Sequence, residues 1–416
     1  MFDIRLNEEQ RAFQQMARDF AENEIKPIAL ELDAKPNWED RIPWDVLKKG
    51  SQLGFRSFVL QEENGGAGAS DHLTACIVAE ELAAGDIGTA YYFMLTARRA
   101  RDWFELRMTD EQREYFIPRF LEDDTYFTTV AIHEPDTDLG FDYFTETPAD
   151  AEFRTRAVEQ PDGSWLINGA KNFQTVGYLA KLIVTMAQTK DGPRAFLVEG
   201  ESEGLVRHPM SKIGRKIGDN AEIFYDDVRV PPGRILAAIP PRSDMGTHVT
   251  IAAITLGLGR AALEETIKYV QERRAGGKPI IEHQAVGLFL ADMATNLEAP
   301  RRLICMGQGQ PGGLRRWERR LAALRDDGDG FHRHSGPAHH RTGHGTFRWH
   351  GRHPGYADRE ICARCIGTEA HFVPLPDPLP HRRGAGRFQT GDIAASERKS
   401  GLVQASSAVP RQSGVT

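Results

Sequence analysis

Apolar residues recur at helical spacing near the start of the chain, with Phe13, Met16, Ala17, Phe20 and Ile25 on one face. Asn7 and Gln10 precede them at the spacing of a capping box, and Pro27 is expected to end the helix. Further helical patterns cover about residues 42–53, 70–84 with Ser70 as the cap, 90–106 and 110–121. From about residue 123 the period changes. Trp165, Leu166 and Ile167 run into Asn168-Gly169, and Leu182, Ile183 and Val184 form a second apolar run, which is the pattern of short strands joined by turns. After Val249, helical spacing returns at Ile251, Ile254, Leu258, Ala261 and Ala262, and a second helix is expected over about 282–304. The pattern predicts an α+β protein with an N-terminal helical domain (1–122) and a middle antiparallel β-domain (123–238) built as a small barrel or sandwich. The start of a C-terminal helical domain (241–304) follows.

The chain has 416 residues, of which 40% are hydrophobic, enough for two or three domains and a large core. Its net charge of -7 gives no general electrostatic reason to bind nucleic acid or an anionic membrane. No apolar run has the length of a membrane span, and the first ten residues are acidic, unlike a secretory signal or a transit peptide. Four cysteines make no disulfide framework, which suits a reducing cytoplasm. The glycine-rich segment at 61–68 is read as tight turns, because no strand leads through it into a helix as a phosphate loop requires.

Several segments carry candidate chemistry. His133-Glu134-Pro135-Asp136-Thr137-Asp138-Leu139-Gly140 resembles the TEPxAGSD segment of the acyl-CoA dehydrogenase family, and residues 166–177, LINGAKNFQTVG, resemble its LNGxKxWITNG segment. Lys212-Ile213-Gly214-Arg215 resembles its KxGxR pattern with the arginine one place early, and Asp227-Val228-Arg229-Val230-Pro231 follows its DVxVP pattern, in the family's order. Residues 269–280 resemble its hinge between two helices. The resemblance covers about residues 1–304. It implies an FAD-dependent dehydrogenase of acyl-CoA thioesters, with electron-transfer flavoprotein as electron acceptor and a homo-oligomer, tetramer or dimer, as the working form.

Carried over residue by residue, the resemblance places Val130, Ile132 and His133 along the pyrimidine side of the flavin. It puts Phe173 where the family has tryptophan and Thr175 where a hydroxyl reaches flavin N5. Read without the neighbouring motif, Phe173 is a core aromatic and Thr175 an ordinary strand residue. His133 is either a donor to the ring or a bulky substitute for the family's threonine or serine. Arg273 and Gln284 are implied to reach the FAD of a neighbouring subunit, Arg273 through the pyrophosphate; the plainer reading of Arg273 is a solvated helix-end charge. At the substrate, Leu139 replaces a serine that contacts CoA. Asp244 and His248, four apart, fall on one helix face near substrate-contacting positions, with helix capping or a surface place as the plainer role. The family's catalytic glutamate has no counterpart: its late position is missing from the tail, and its early position is Thr247. No catalytic base is therefore assigned, and a flavin monooxygenase or oxidase on the same fold, or an inactive homologue, stands as the alternative.

After about residue 304 the composition changes. Nine of the fourteen histidines and three of the four cysteines lie there, with sixteen arginines against the single Lys399. Shifting the frame one nucleotide forward through permitted codons turns residues 346–365, TFRWHGRHPGYADREICARC, into LFGGMAVIRDTPIEKFARDA. That string resembles a family segment otherwise missing from this place, and residues 305–310 likewise permit AWARDN. The 305–416 segment is read as the product of a frameshift near residues 302–305. Cys362 and Cys365 have the spacing of half a zinc site, but without a second pair no metal is assigned.

Overall fold

In the computed structural model the described residues are 6–135, 152–237 and 245–308, the side chains of the last stretch from 249 to 305. Leu139 and Asp244 lie outside them, as do residues 309–416 and with them the two cysteines of the half zinc site. Helix α1 (Glu8–Phe20) opens on the expected capping box, in which Asn7 Oδ1 accepts from Gln10 N at 2.7 Å and Gln10 Oε1 from Asn7 N at 3.2 Å. Pro27 does not end the helix. A π-helical turn, Ala21–Ile25, leads straight into α2 (Lys26–Ala34), and the proline occupies its first turn. There the wider coil makes room for the ring where a missing N–H costs least.

Helix α3 is Trp44–Gln52 and α4 is His72–Gly85. Asp71 rather than Ser70 caps α4, accepting from Thr74 N at 2.9 Å, because the helix starts at His72 and places Asp71 immediately before its first turn. Helices α5 (Ile87–Ala100) and α6 (Asp110–Glu122) complete the first helical layer. Helix α4 is apolar on nearly every side, and it is buried on nearly every side, against α1, α5 and the long helix of residues 245–272. Helices α7 (Met245–Glu272) and α8 (Gln284–Gln308) are joined by a hairpin of β8 (Arg274–Ala275) and β9 (Lys278–Pro279), with Gly276 and Gly277 at positive φ in its turn. Charge ties these layers together. Arg18 of α1 and Arg260 of α7 meet Glu81 at 2.8 and 2.6 Å, and Arg301 of α8 meets Glu80 at 2.6 Å. Burial pushes the Glu81 carboxyl up, but Arg18 and Arg260 outweigh it and hold it below the ordinary carboxylate value.

The strands β1 (Phe127–Ala131), β2 (Arg156–Glu159), β3 (Trp165–Thr175), β4 (Ala180–Thr189), β5 (Gly192–Glu199), β6 (Leu205–Pro209) and β7 (Asn220–Val230) form one sheet. Most pairings are antiparallel, but β1 and β2 meet β4 in parallel. The two lie along the edge of β4 opposite β5, β1 at Ala180–Thr185 and β2 at Gln188. Strand β3 pairs with β2 only at residues 165–168 and then runs on beside β1. This topology sets the end of β1 beside the far end of β3, and the candidate site lies along that junction. Among the described residues no helix is long and apolar enough to cross a membrane.

Candidate functional site

The far end of β3 is irregular. Its register against β7 shifts between Lys171 and Gln174, and within that bulge Phe173 takes φ 57°. An extra residue re-aims the side chain next to it, and a non-glycine residue in the left-handed region is held there only by its surroundings. Phe173 is 60% exposed, so it is no core aromatic. The bulge is fixed from both sides. Asn172 N–H donates to His133 O at 3.0 Å, Thr129 Oγ1 donates to Thr175 O at 2.8 Å, and Asn220 Nδ2 donates to Phe173 O and to Thr175 Oγ1, each at 3.1 Å.

Along β1, Thr128 N–H faces Thr96 Oγ1 of α5 and Thr128 O accepts from Arg99 at 2.7 Å. By the two-residue period of a strand, the peptide groups of Val130 lie on that same edge. Val130, Ile132 and His133 are half-buried at the end of this edge, opposite the bulge. The structure thus brings five of the predicted residues, Val130, Ile132, His133, Phe173 and Thr175, to the junction of β1 and β3. An exposed aromatic, a hydroxyl and main-chain groups of a strand edge suit a planar heteroaromatic ring with polar atoms on its rim.

A buried ion pair lies at the same junction. Lys171 is fully buried, with Nζ 2.9 Å from Glu134 Oε1, 3.0 Å from Ile132 O and 4.1 Å from the centre of the Phe153 ring. Glu134 also accepts from the main-chain N–H groups of Arg154 and Thr155, at 2.7 and 2.8 Å. Burial pushes the Lys171 ammonium down to about 8, with Glu134 opposing it. Burial likewise raises the Glu134 carboxyl, but Lys171 and the Thr155 and Arg154 donors bring it below its ordinary value.

The loop before β7 supports the bulge from the other side. Asp219 O accepts from Val176 N–H at 3.1 Å and Asp219 Oδ2 from Tyr178 N–H at 2.6 Å, while Asp219 N–H donates to Tyr92 Oη at 2.9 Å. Gly218 lies so close to Gly88 of α5 that a Cβ on Gly88 would come within 2.4 Å of Gly218 N. Burial and the neighbouring Arg215 push the Lys212 ammonium down to about 7.

The remaining predicted residues lie elsewhere. Arg273 is exposed just after α7, and Gln284 is exposed as the first residue of α8. None of the described hydrogen bonds ties either to the junction of β1 and β3. His248 is on α7, and its side chain lies outside the described residues. Sequence reasoning missed Asn220. It stands 45 residues from Thr175, and no spacing rule connects positions on adjacent strands that far apart.

The fold defines a class. The butyryl-CoA dehydrogenase of Megasphaera elsdenii superposes with a TM-score of 0.70 at 25% identity, covering 87% of this chain and 94% of that one. A glutaryl-CoA dehydrogenase of Mycobacterium smegmatis in complex with FADH2 shares the fold, with a TM-score of 0.65 at 23% identity, over 86% of this chain and 89% of that one. Residues 7–124 match the acyl-CoA dehydrogenase N-terminal domain, 146–228 the middle domain and 246–306 the C-terminal domain. A probable acyl-CoA dehydrogenase, fadE25 of Mycobacterium bovis, is 31% identical over 73% of this chain and 77% of its own length. The mitochondrial isobutyryl-CoA dehydrogenase of Dictyostelium discoideum is 29% identical over 72% of this chain and 71% of its own. The chain belongs to the acyl-CoA dehydrogenase family, flavin oxidoreductases whose cofactor is FAD.

Proposed function

We propose that the chain descends from an enzyme that oxidises an acyl-CoA thioester between its α and β carbons, with the flavin ring of FAD seated at the junction of β1 and the β3 bulge. Bound FAD supplies the hydride acceptor. Val130, Ile132 and His133 hold the pyrimidine side of the ring through the strand edge, Phe173 covers its face, and Thr175 offers its hydroxyl to N5. A donor there stabilises the charge that builds on the ring as it is reduced. Arg273 and Gln284 reach the FAD of a neighbouring subunit in a homo-oligomer, tetramer or dimer, which agrees with their exposure in a single chain. Leu139, Asp244 and His248 stand at the substrate, an acyl-CoA, and electron-transfer flavoprotein takes the electrons onward. The domain limits 1–122, 123–238 and 241–304 remain part of this reading, with 305–416 as the out-of-frame segment.

The observation that carries the proposal is Thr175, a half-buried hydroxyl fixed beside an exposed aromatic by a bulge that Asn220 and Thr129 hold in place. The test is anaerobic titration of the FAD-loaded chain with acyl-CoA thioesters of graded length and branching, following the visible flavin absorbance. Bleaching by at least one thioester is expected. Bleaching by dithionite but by no thioester overturns the dehydrogenase reading in favour of an oxygen-using flavoenzyme or an inactive homologue. The loss of the CoA-contacting serine at Leu139 and the missing glutamate favour that second reading.

A further inference from the structure

Asn220 is buried, and both ends of its amide are occupied. Its Oδ1 accepts from Lys212 Nζ at 3.0 Å and from the Arg215 guanidinium, while its Nδ2 donates to Phe173 O and Thr175 Oγ1. Ammonium and guanidinium groups only donate, and a main-chain carbonyl only accepts, so the amide has one satisfied orientation. Turning it over would set its NH2 against two cations and leave Phe173 O facing an oxygen. The Thr175 hydroxyl therefore meets a donor at Asn220 and cannot give its own proton there. No described hydrogen bond within the chain takes that proton.

We propose that Asn220 is a positioning residue: by donating to Thr175 Oγ1 while Lys212 and Arg215 hold its other end, it commits the Thr175 proton to flavin N5. The proposal rests on the flavin reading given above. Hydrogen bonds in series polarise one another, and this chain ends at two cations. Thr175 is accordingly a stronger donor than an isolated hydroxyl, and a reduced flavin, whose ring carries more negative charge than the oxidised one, would gain more from the field of this chain and the two cations behind it.

The experiment is a redox titration of FAD bound to the full chain, against a reference dye. In Asn220→Asp the carboxylate keeps Lys212 and Arg215 but takes the Thr175 proton for itself. The ratio of reduced to oxidised flavin at fixed potential is expected to fall at least tenfold, about 30 mV for a two-electron couple. The same substitution in a Thr175→Val background is expected to add less than a twofold change, since the hydroxyl through which Asn220 acts is gone. Asn220→Leu, uncharged and close in volume, is expected to behave like Asn220→Asp in both backgrounds.

An unshifted ratio in Asn220→Asp and Asn220→Leu overturns the proposal and leaves the flavin site standing. A shift that persists in the Thr175→Val background also overturns it, as a direct effect of charge. Loss of FAD binding in both Asn220 variants, while Thr175→Val still binds, shows that Asn220 only builds the bulge and overturns it too. If the unaltered chain neither quenches nor shifts the spectrum of added FAD, the flavin reading itself falls and the proposal falls with it.

Discussion

Lys171→Met tests whether the buried ion pair holds the junction of β1 and β3. The substitution keeps an unbranched chain of similar length and removes the ammonium between Glu134 Oε1 at 2.9 Å and Ile132 O at 3.0 Å. Glu134, with its side chain 2% exposed, keeps its two main-chain donors but loses its cation. Stranding one member of a buried pair costs about 3–5 kcal/mol, and Ile132 O loses its partner as well. At roughly 2 °C per kcal/mol for a structured region of this size, the midpoint of thermal unfolding followed by circular dichroism should fall about 6–10 °C. Adding Glu134→Gln should restore at least half of the loss, because the two changes act on one interaction and do not add. The pH dependence has a definite sign. The folded chain releases the Lys171 proton at about 8, against an ordinary value of 10.5. Between those values the unfolded chain binds more protons, so this group's contribution to stability rises with pH, and Lys171→Met should lack that rise. A variant within about 1 kcal/mol of the parent chain, at neutral pH and with no change in pH slope, would refute the reasoning.

Three further outcomes are expected. Gly88→Ala, whose Cβ would meet Gly218 N at 2.4 Å, should push the loop before β7 away from α5; FAD affinity measured by fluorescence quenching should weaken at least tenfold, and unchanged affinity would show that the loop does not support the site. Burial pushes the Cys76 thiol up to about 12, so iodoacetamide at pH 8 should leave Cys76 unmodified in the native chain, as peptide mass mapping would reveal; rapid labelling would mean that α4 opens. The coding DNA over codons 295–370 should spell LFGGMAVIRDTPIEKFARDA one nucleotide forward of the frame that gives residues 346–365, and codons that forbid it would remove the frameshift explanation.

Much of the fold was legible because the signals are local. The capping box at Asn7 and Gln10 and the helical stripes each rest on residues a few positions apart. The errors were also local. Pro27 looked like a terminator because a sequence does not show a π turn that makes room for it, Ser70 looked like a cap because the start of α4 at His72 is a matter of conformation, and Asn168-Gly169 looked like a turn although β3 runs through it with only a shift of register against β7. For the site, the motifs named Phe173 and Thr175, but the exposure of Phe173 depends on a bulge whose extra residue is defined only against β7.

What the sequence determined by itself is the order of helical and strand segments and, through its motifs, the family, since periodicity and short-range motifs need no knowledge of the fold. Tertiary structure alone decided that β1 lies parallel to β4, that β3 outruns β2 to lie beside β1, and that Asn220 donates to Thr175 with two cations on its other end. Those facts join residues tens of positions apart, and a hydrogen bond depends on where two groups are in space, which the order of residues along the chain does not state.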